Sequence, residues 1–153
     1  AMDLVGRKLS MDQGDAAKQL ISDMKKTLVD LGAVYTGKPL ERLATAIEAV
    51  EDATLWLLDR KTDPDASDDV LAAADAYLKL MGDVVGGWML AKGALAAKAR
   101  LDRSEGDPIW LQGKMDLYEV YAANVLGHAS SRLAVVGQGG GLLRRLSQEA
   151  LGG

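Results

Sequence analysis

The 153-residue chain has no cysteine, no phenylalanine, a single histidine and only three prolines. Without cysteine there is no disulfide framework, no thiolate metal site and no cysteine nucleophile. One imidazole, His128, leaves little room for imidazole catalysis and none for a multi-histidine metal centre. Aromatic residues make up 5% of the chain, and Lys and Arg (18) are outnumbered by Asp and Glu (22), for a formal net charge of −4. A nucleic-acid binder usually carries the opposite sign in clusters, so no nucleic-acid partner is expected. No apolar run approaches the ~18 residues of a membrane span, and a membrane partner is not expected either. The opening Ala1-Met2-Asp3-Leu4 lacks the basic start and apolar stretch of a secretory signal, which suggests a cytoplasmic protein.

What is present points to helices. Hydrophobic residues are 48% of the chain and are mostly Ala, Leu, Val and Met, strong helix formers apart from Val. Apolar residues recur at helical spacing, with no sustained two-residue alternation. The pattern predicts an all-α fold: an antiparallel four-helix bundle with helices over 15–31, 39–60, 67–103 and 108–136, an additional N-terminal helical segment and a short C-terminal helix. Gly32 suits a helix stop, Pro39 a first helical position, and Asp107-Pro108 a cap followed by such a proline. Asp65 or Ser67 is expected to cap the third helix. The 108–136 helix presents Leu111, Met115, Tyr118, Ala122, Val125, Ala129, Leu133 and Val136 inward. In the 67–103 helix, Val70, Ala74, Tyr77, Met81, Val84, Trp88, Ala91 and Leu95 form a seam suited to shallow bundle packing. Gly82, Gly86, Gly87 and Gly93 lie inside that helix. Each costs roughly 1 kcal/mol relative to Ala, and close approach of a neighbouring helix, expected at Gly82 and Gly86, would offset it.

Charge is uneven, with 13 acidic and 8 basic residues between 41 and 106 and near balance elsewhere, as on solvated helix faces. The motif search is mostly negative. Gly32-Ala33-Val34-Tyr35-Thr36-Gly37-Lys38-Pro39 approaches a phosphate-binding loop but has Pro39 in place of the Ser/Thr and follows a helix where a strand is required. Gly137-Gln138-Gly139-Gly140-Gly141-Leu142 begins like a dinucleotide fingerprint, lacks the third glycine and reads as a linker. A di-metal carboxylate bundle needs Glu-x-x-His pairs; here Val125 stands three residues before His128, which reads as a surface or interhelical histidine. Glu48, Glu51 and Asp52 read as a solvated face. Trp56, Trp88 and Trp110 fall on three helices and are expected in the core. No catalytic, cofactor-binding or metal residue is nominated.

Two stretches resemble a known family. Ala1-Met2-Asp3-Leu4-Val5-Gly6-Arg7-Lys8-Leu9 resembles the helix that follows the Tyr-Glu-Gly-Thr motif of bacterial acyl-CoA dehydrogenases. Residues 76–91, Ala-Tyr-Leu-Lys-Leu-Met-Gly-Asp-Val-Val-Gly-Gly-Trp-Met-Leu-Ala, resemble the extra C-terminal helical domain of one branch of that family, which includes the enzymes acting on 3-methylmercaptopropionyl-CoA. The Gly106-Asp107 helix start fits the same branch. The resemblance implies a FAD-dependent parent that oxidises an acyl-CoA to the 2,3-enoyl-CoA, using a glutamate of the Tyr-Glu-Gly-Thr motif and an electron-transfer acceptor. It implies that Ala1 is an interior residue of a longer protein. Residues 1–14 would be the tail of a preceding catalytic-domain helix, 15–136 the C-terminal bundle, and 137–153 a Gly-rich linker with a short amphipathic helix. The expected role is structural and oligomerising. The rest of the parent polypeptide and a homo-oligomer mate are the partners, and no FAD or turnover is expected on this chain alone. Leu4, Val5, Leu9 and part of the Leu20–Leu31 stripe would then form an exposed patch. The competing expectation is a non-enzymatic docking module for a protein or membrane, hinted at by Leu142-Leu143-Arg144-Arg145-Leu146.

Overall fold

The computed structural model describes residues 1–141, and over these it is helical with no strand. The helices are α1 (Met2–Gly6), α2 (Asp15–Gly32), α3 (Lys38–Arg60), α4 (Ser67–Asp102), α5 (Pro108–Asn124) and α6 (Ala129–Gln138), with 3₁₀ turns at Lys8–Ser10, Pro64–Ala66 and Leu126–His128. The expected bundle is present, and the expected C-terminal helix falls outside the described residues.

Local chemistry sets the boundaries. Gly14 precedes α2 at φ +83°, and a Cβ there would lie 2.6 Å from Leu58 Cδ1, so both conformation and space demand glycine. Pro39 sits in the first turn of α3, which begins one residue earlier, at Lys38. Asp107 accepts a hydrogen bond from the Ile109 amide at 2.9 Å and opens α5. The cap expected from Asp65 or Ser67 is absent: α4 follows Ala66 without a side-chain cap, and it is the preceding 3₁₀ turn that is capped, by the Asp63 carboxylate accepting from the Asp65 amide at 2.9 Å.

α4 is the axis of the molecule. Its predicted seam is buried or half-buried throughout, and Ala73, Leu80, Gly87, Ala94 and Ala97 form a second buried stripe. A helix apolar on more than one side belongs inside, and α4 packs against every other helix described here. Gly86 and Gly87 are its close-approach points: a Cβ would lie 2.6 Å from Tyr121 Oη at Gly86 and 2.8 Å from Leu126 Cδ2 at Gly87. Gly82 is not one, for nothing lies within 4 Å of its Cβ position, and the same holds for Gly93.

The predicted 108–136 helix is broken. α5 ends at Asn124, whose side-chain amide donates to the Val120 carbonyl at 2.8 Å, and the chain passes through the 3₁₀ turn into α6. Gly127, a weak helix former, lies in that turn, and the tighter winding accompanies burial of Leu126 against Gly87. The predicted inward stripe nevertheless stays buried or half-buried across the break. α6 is tied to α4 by Arg132 and Asp83 at 2.8 Å and, past its end, by the Gly140 amide donating to Asp69 Oδ1 at 2.8 Å.

The N-terminal segment also departs from expectation. Val5 and Leu9 are buried, Leu4 is half-buried, and Lys61 donates to the carbonyls of Val5 and Gly6 at 2.6 and 2.7 Å. The apolar side chains expected to lie open are therefore used within the chain. Ile21, Met24 and Leu31 of the α2 stripe are buried too.

One buried polar pair bridges α3 and α4. Thr54 Oγ1 donates to the Val50 carbonyl at 2.7 Å and lies 2.9 Å from Tyr77 Oη, so with its single proton committed it accepts from Tyr77. Thr54→Val would leave the Tyr77 hydroxyl buried without that partner, which costs about 1–3 kcal/mol. Urea denaturation is expected to show a lower midpoint with an unchanged slope.

Candidate functional site

The residues singled out in the sequence do not converge. His128 is exposed at the end of its 3₁₀ turn, and Glu48 and Asp52 face solvent on α3. Glu51 pairs with Lys25 of α2 at 2.5 Å. Among the described residues no group of three or more His, Asp or Glu side chains could hold a metal ion. The Gly32–Pro39 stretch is the α2–α3 connection. Its Tyr35 is buried edge-on against Tyr118, with ring centroids 5.1 Å apart, and donates to the Met115 carbonyl at 3.4 Å.

The three tryptophans do not share a core. Trp56 is half-buried beneath the Arg60 guanidinium, 5.6 Å from the ring centroid. Trp88 is half-buried, donates to Thr27 Oγ1 at 2.7 Å and carries Lys92 4.6 Å from its centroid. Trp110, expected in the core, is 54% exposed, with Lys114 4.8 Å from its ring centroid. Its position leads to the most distinctive surface of the molecule.

α4 has 36 residues and α3 has 23, so at 1.5 Å per residue α4 is about 20 Å longer. The excess lies at its C-terminal end. Tyr118 donates to the carbonyl of Pro39 at 2.7 Å, which sets the first turn of α3 level with the middle of α5. The ten residues of α5 before Tyr118 therefore run about 15 Å beyond the start of α3, alongside the end of α4. This α4–α5 hairpin holds an open groove of about 330 Å³ lined by Met89, Gly93, Ala97, Trp110, Leu111 and Leu117 among others. Its charged side chains are Arg100 and Lys114. An arginine cannot act as a base, and the groove holds no carboxylate, histidine or hydroxyl beside Lys114 with which an acid–base or metal site could be built. Such a groove suits the binding of apolar side chains.

α5 is apolar on two sides. Leu111, Met115, Tyr118 and Ala122 turn inward, while Ile109, Trp110, Leu117 and Val120 are between 46% and 84% exposed. The second stripe stands in the sequence at helical spacing beside the inward one, with nothing local to mark it as a surface. Below the groove the core is dry enough to perturb its phenols. Burial, reinforced by the carboxylates of Glu119 and Asp116, pushes Tyr35 up to about 12. Burial likewise raises Tyr118, with Tyr35 and Glu119 adding to it.

A family model described as acetyl-CoA dehydrogenase C-terminal like matches residues 15–146. The chain belongs to that family. The matched region opens at the start of α2, takes in the whole α4–α5 hairpin and runs five residues past the described structure. A curated relative, the 3-methylmercaptopropionyl-CoA dehydrogenase of Ruegeria pomeroyi, is 32% identical over 134 residues, covering 86% of this chain and 22% of that protein. This acetyl-CoA dehydrogenase C-terminal-like chain thus spans about a fifth of the length of the relative it matches. No helix among the described residues is long and apolar enough to cross a membrane.

Proposed function

We propose that this chain is the C-terminal helical domain of a FAD-dependent dehydrogenase. That enzyme oxidises an acyl-CoA to the 2,3-enoyl-CoA and passes the electrons to an acceptor protein. The bundle's own part is architectural: it braces the catalytic portion and contributes to subunit contacts. Membership of the family carries this reading, and the match to a fifth of a longer relative named for acyl-CoA dehydrogenation supports it. Residues 1–14 would then join the bundle to the catalytic portion.

The described residues do not fit a flavin. A dinucleotide site presents glycine amides to a pyrophosphate, but here the amide of Gly140 is taken by the Asp69 carboxylate, whose negative charge would repel phosphate. The Gly32–Pro39 loop follows a helix rather than a strand. The α4–α5 groove is walled by aliphatic side chains and Trp110, with Arg100 and Lys114 as its charged members, and it runs between two helices without a glycine-rich turn. Flavin and catalytic base are accordingly assigned to the remainder of a longer polypeptide.

The test is expression of the complete reading frame that encodes this chain, followed by an artificial-acceptor assay with a panel of acyl-CoA thioesters. A yellow protein that reduces the dye only with acyl-CoA present is expected. A colourless protein inert towards every thioester would refute the assignment.

A further inference from the structure

We infer that the outward face of the α4–α5 hairpin is a self-association surface. On it a second copy of this chain lays its own α4–α5 face, with a two-fold axis running along the helices. This specifies the subunit contact named above but does not depend on flavin chemistry in the parent. The product is a four-helix arrangement in which each α4 packs antiparallel on the α5 of the other copy.

Three observations carry it. An apolar helix face is normally buried against another element, yet the outer stripe of α5, Ile109, Trp110, Leu117 and Val120, is exposed among the described residues. Beside it α4 turns out Met89 and Ala96, both exposed. Gly93 on α4 and Gly113 on α5 lie within this face, and nothing stands within 4 Å of either Cβ position. The backbone of an incoming helix can approach closely at both. The face is about 20 Å long and two helices wide, so it buries on the order of 500 Å² per copy, near the threshold of a specific interface.

Charge and register select the partner and the axis. The two helices are antiparallel, and Gly86 against Tyr121 and Arg100 against Gly106 fix their register. Lys92 is therefore level with Asp116, and Glu119 stands about one turn further along α5. By helical phase, Lys92 lies on the outer edge of α4, and Asp116 and Glu119 lie on the outer edge of α5; all three are exposed. Lys92 rests over Trp88, and Asp116 accepts from Gln112 at 2.9 Å. A two-fold axis along the helices keeps heights unchanged and sets α4 over α5, so Lys92 of each copy meets the acidic edge of the other. An axis across the helices would set α5 on α5, acidic edge against acidic edge. Arg100 and Lys114 remain at the rim, where long cationic side chains keep their heads in water.

Sedimentation velocity over a concentration series tests this on the 153-residue chain, with Trp110→Glu and Leu117→Glu as variants. Both positions are exposed, so circular dichroism, and the thermal midpoint at concentrations where the parent chain is monomeric, should be unchanged while self-association weakens roughly thirtyfold or more. Because the chain has no cysteine, the axis can be read by thiols. A mixture of Gly93→Cys and Gly113→Cys chains should form a disulfide-linked pair, and neither variant should do so alone. A chain that stays monomeric at every concentration would overturn the inference and leave the face to the rest of the longer polypeptide. A dimer that tolerates both glutamates, or cross-linking by Gly113→Cys alone, would overturn it as well.

Discussion

Gly87→Leu is expected to lower the thermal midpoint by roughly 4–12 °C, corresponding to a loss of about 2–3 kcal/mol. The cause is volume. A Cβ at this position would lie 2.8, 2.9 and 3.2 Å from Cδ2, Cδ1 and Cγ of Leu126. Leu126 is 2% exposed and cannot swing into solvent. Accommodating the new side chain means moving the 3₁₀ turn between α5 and α6 away from α4. Overpacking of this kind typically costs about 1–3 kcal/mol or more, and the gain in helix propensity returns less than about 1 kcal/mol. Gly82→Ala is the matched comparison. With nothing within 4 Å it gains propensity without a clash, and a rise of about 0.5–1 kcal/mol in stability is expected. Calorimetry on the two variants checks both signs. Equal effects would mean that the contact between α4 and the 3₁₀ turn at Leu126 is looser than described.

Alkaline pH is expected to unfold the protein more steeply than loss of its surface ion pairs can explain. The chain has four tyrosines, and all are displaced above the ordinary phenol value of 10. Burial is the leading cause for each. Asp83 adds to the rise at Tyr121, and Arg132 works against it. The sign follows from proton counting. Between pH 10 and about 12, the folded value for Tyr35, the unfolded chain has released phenolic protons that the folded chain still holds. Stability therefore falls as pH rises through that window and is insensitive to the tyrosines below it. A fully buried phenol contributes at most about 1.4 kcal/mol per pH unit. Tyr35 and Tyr118 are stacked edge to face and should ionise together with unfolding. The exposed Lys–Asp pairs of the helix surfaces are worth less than about 1 kcal/mol each. Urea midpoints at stepped pH, recorded with tyrosinate absorbance, should show the two changes coinciding. Tyrosinate appearing near pH 10 with the fold intact would contradict the burial described for Tyr35 and Tyr118.

Much of the architecture was legible because it rests on spacing. The α4 seam from Val70 to Leu95 repeats at four and three residues, and only a helix packed along its length produces that pattern. Asp107-Pro108 marked the start of α5 because carboxylate capping and the fixed φ of proline are local chemistry. The break at Asn124 was hidden for the converse reason. Ala122, Val125, Ala129 and Leu133 keep helical phase across it, so periodicity carries no trace of the change in winding. The glycines of α4 illustrate a further limit. Gly82 and Gly86 are alike in sequence, yet one faces open space and the other a tyrosine hydroxyl, and the path of α5 decides which. The outer face of the α4–α5 hairpin was encoded in Ile109, Trp110, Leu117 and Val120. Each is unremarkable singly, and their meaning comes from α4 outrunning α3, a comparison of helix lengths that single stripes do not make.

We propose that this bundle shapes a dehydrogenase without holding its chemistry. Titration of the purified chain with FAD, monitored by flavin fluorescence and followed by a dye-reduction assay with acyl-CoA thioesters, tests it most directly. The expected result is flavin fluorescence equal to that of free FAD at every ratio, and dye reduction no faster than in buffer. Stoichiometric quenching of the flavin, or turnover of any thioester, would place the active site within these helices and contradict it.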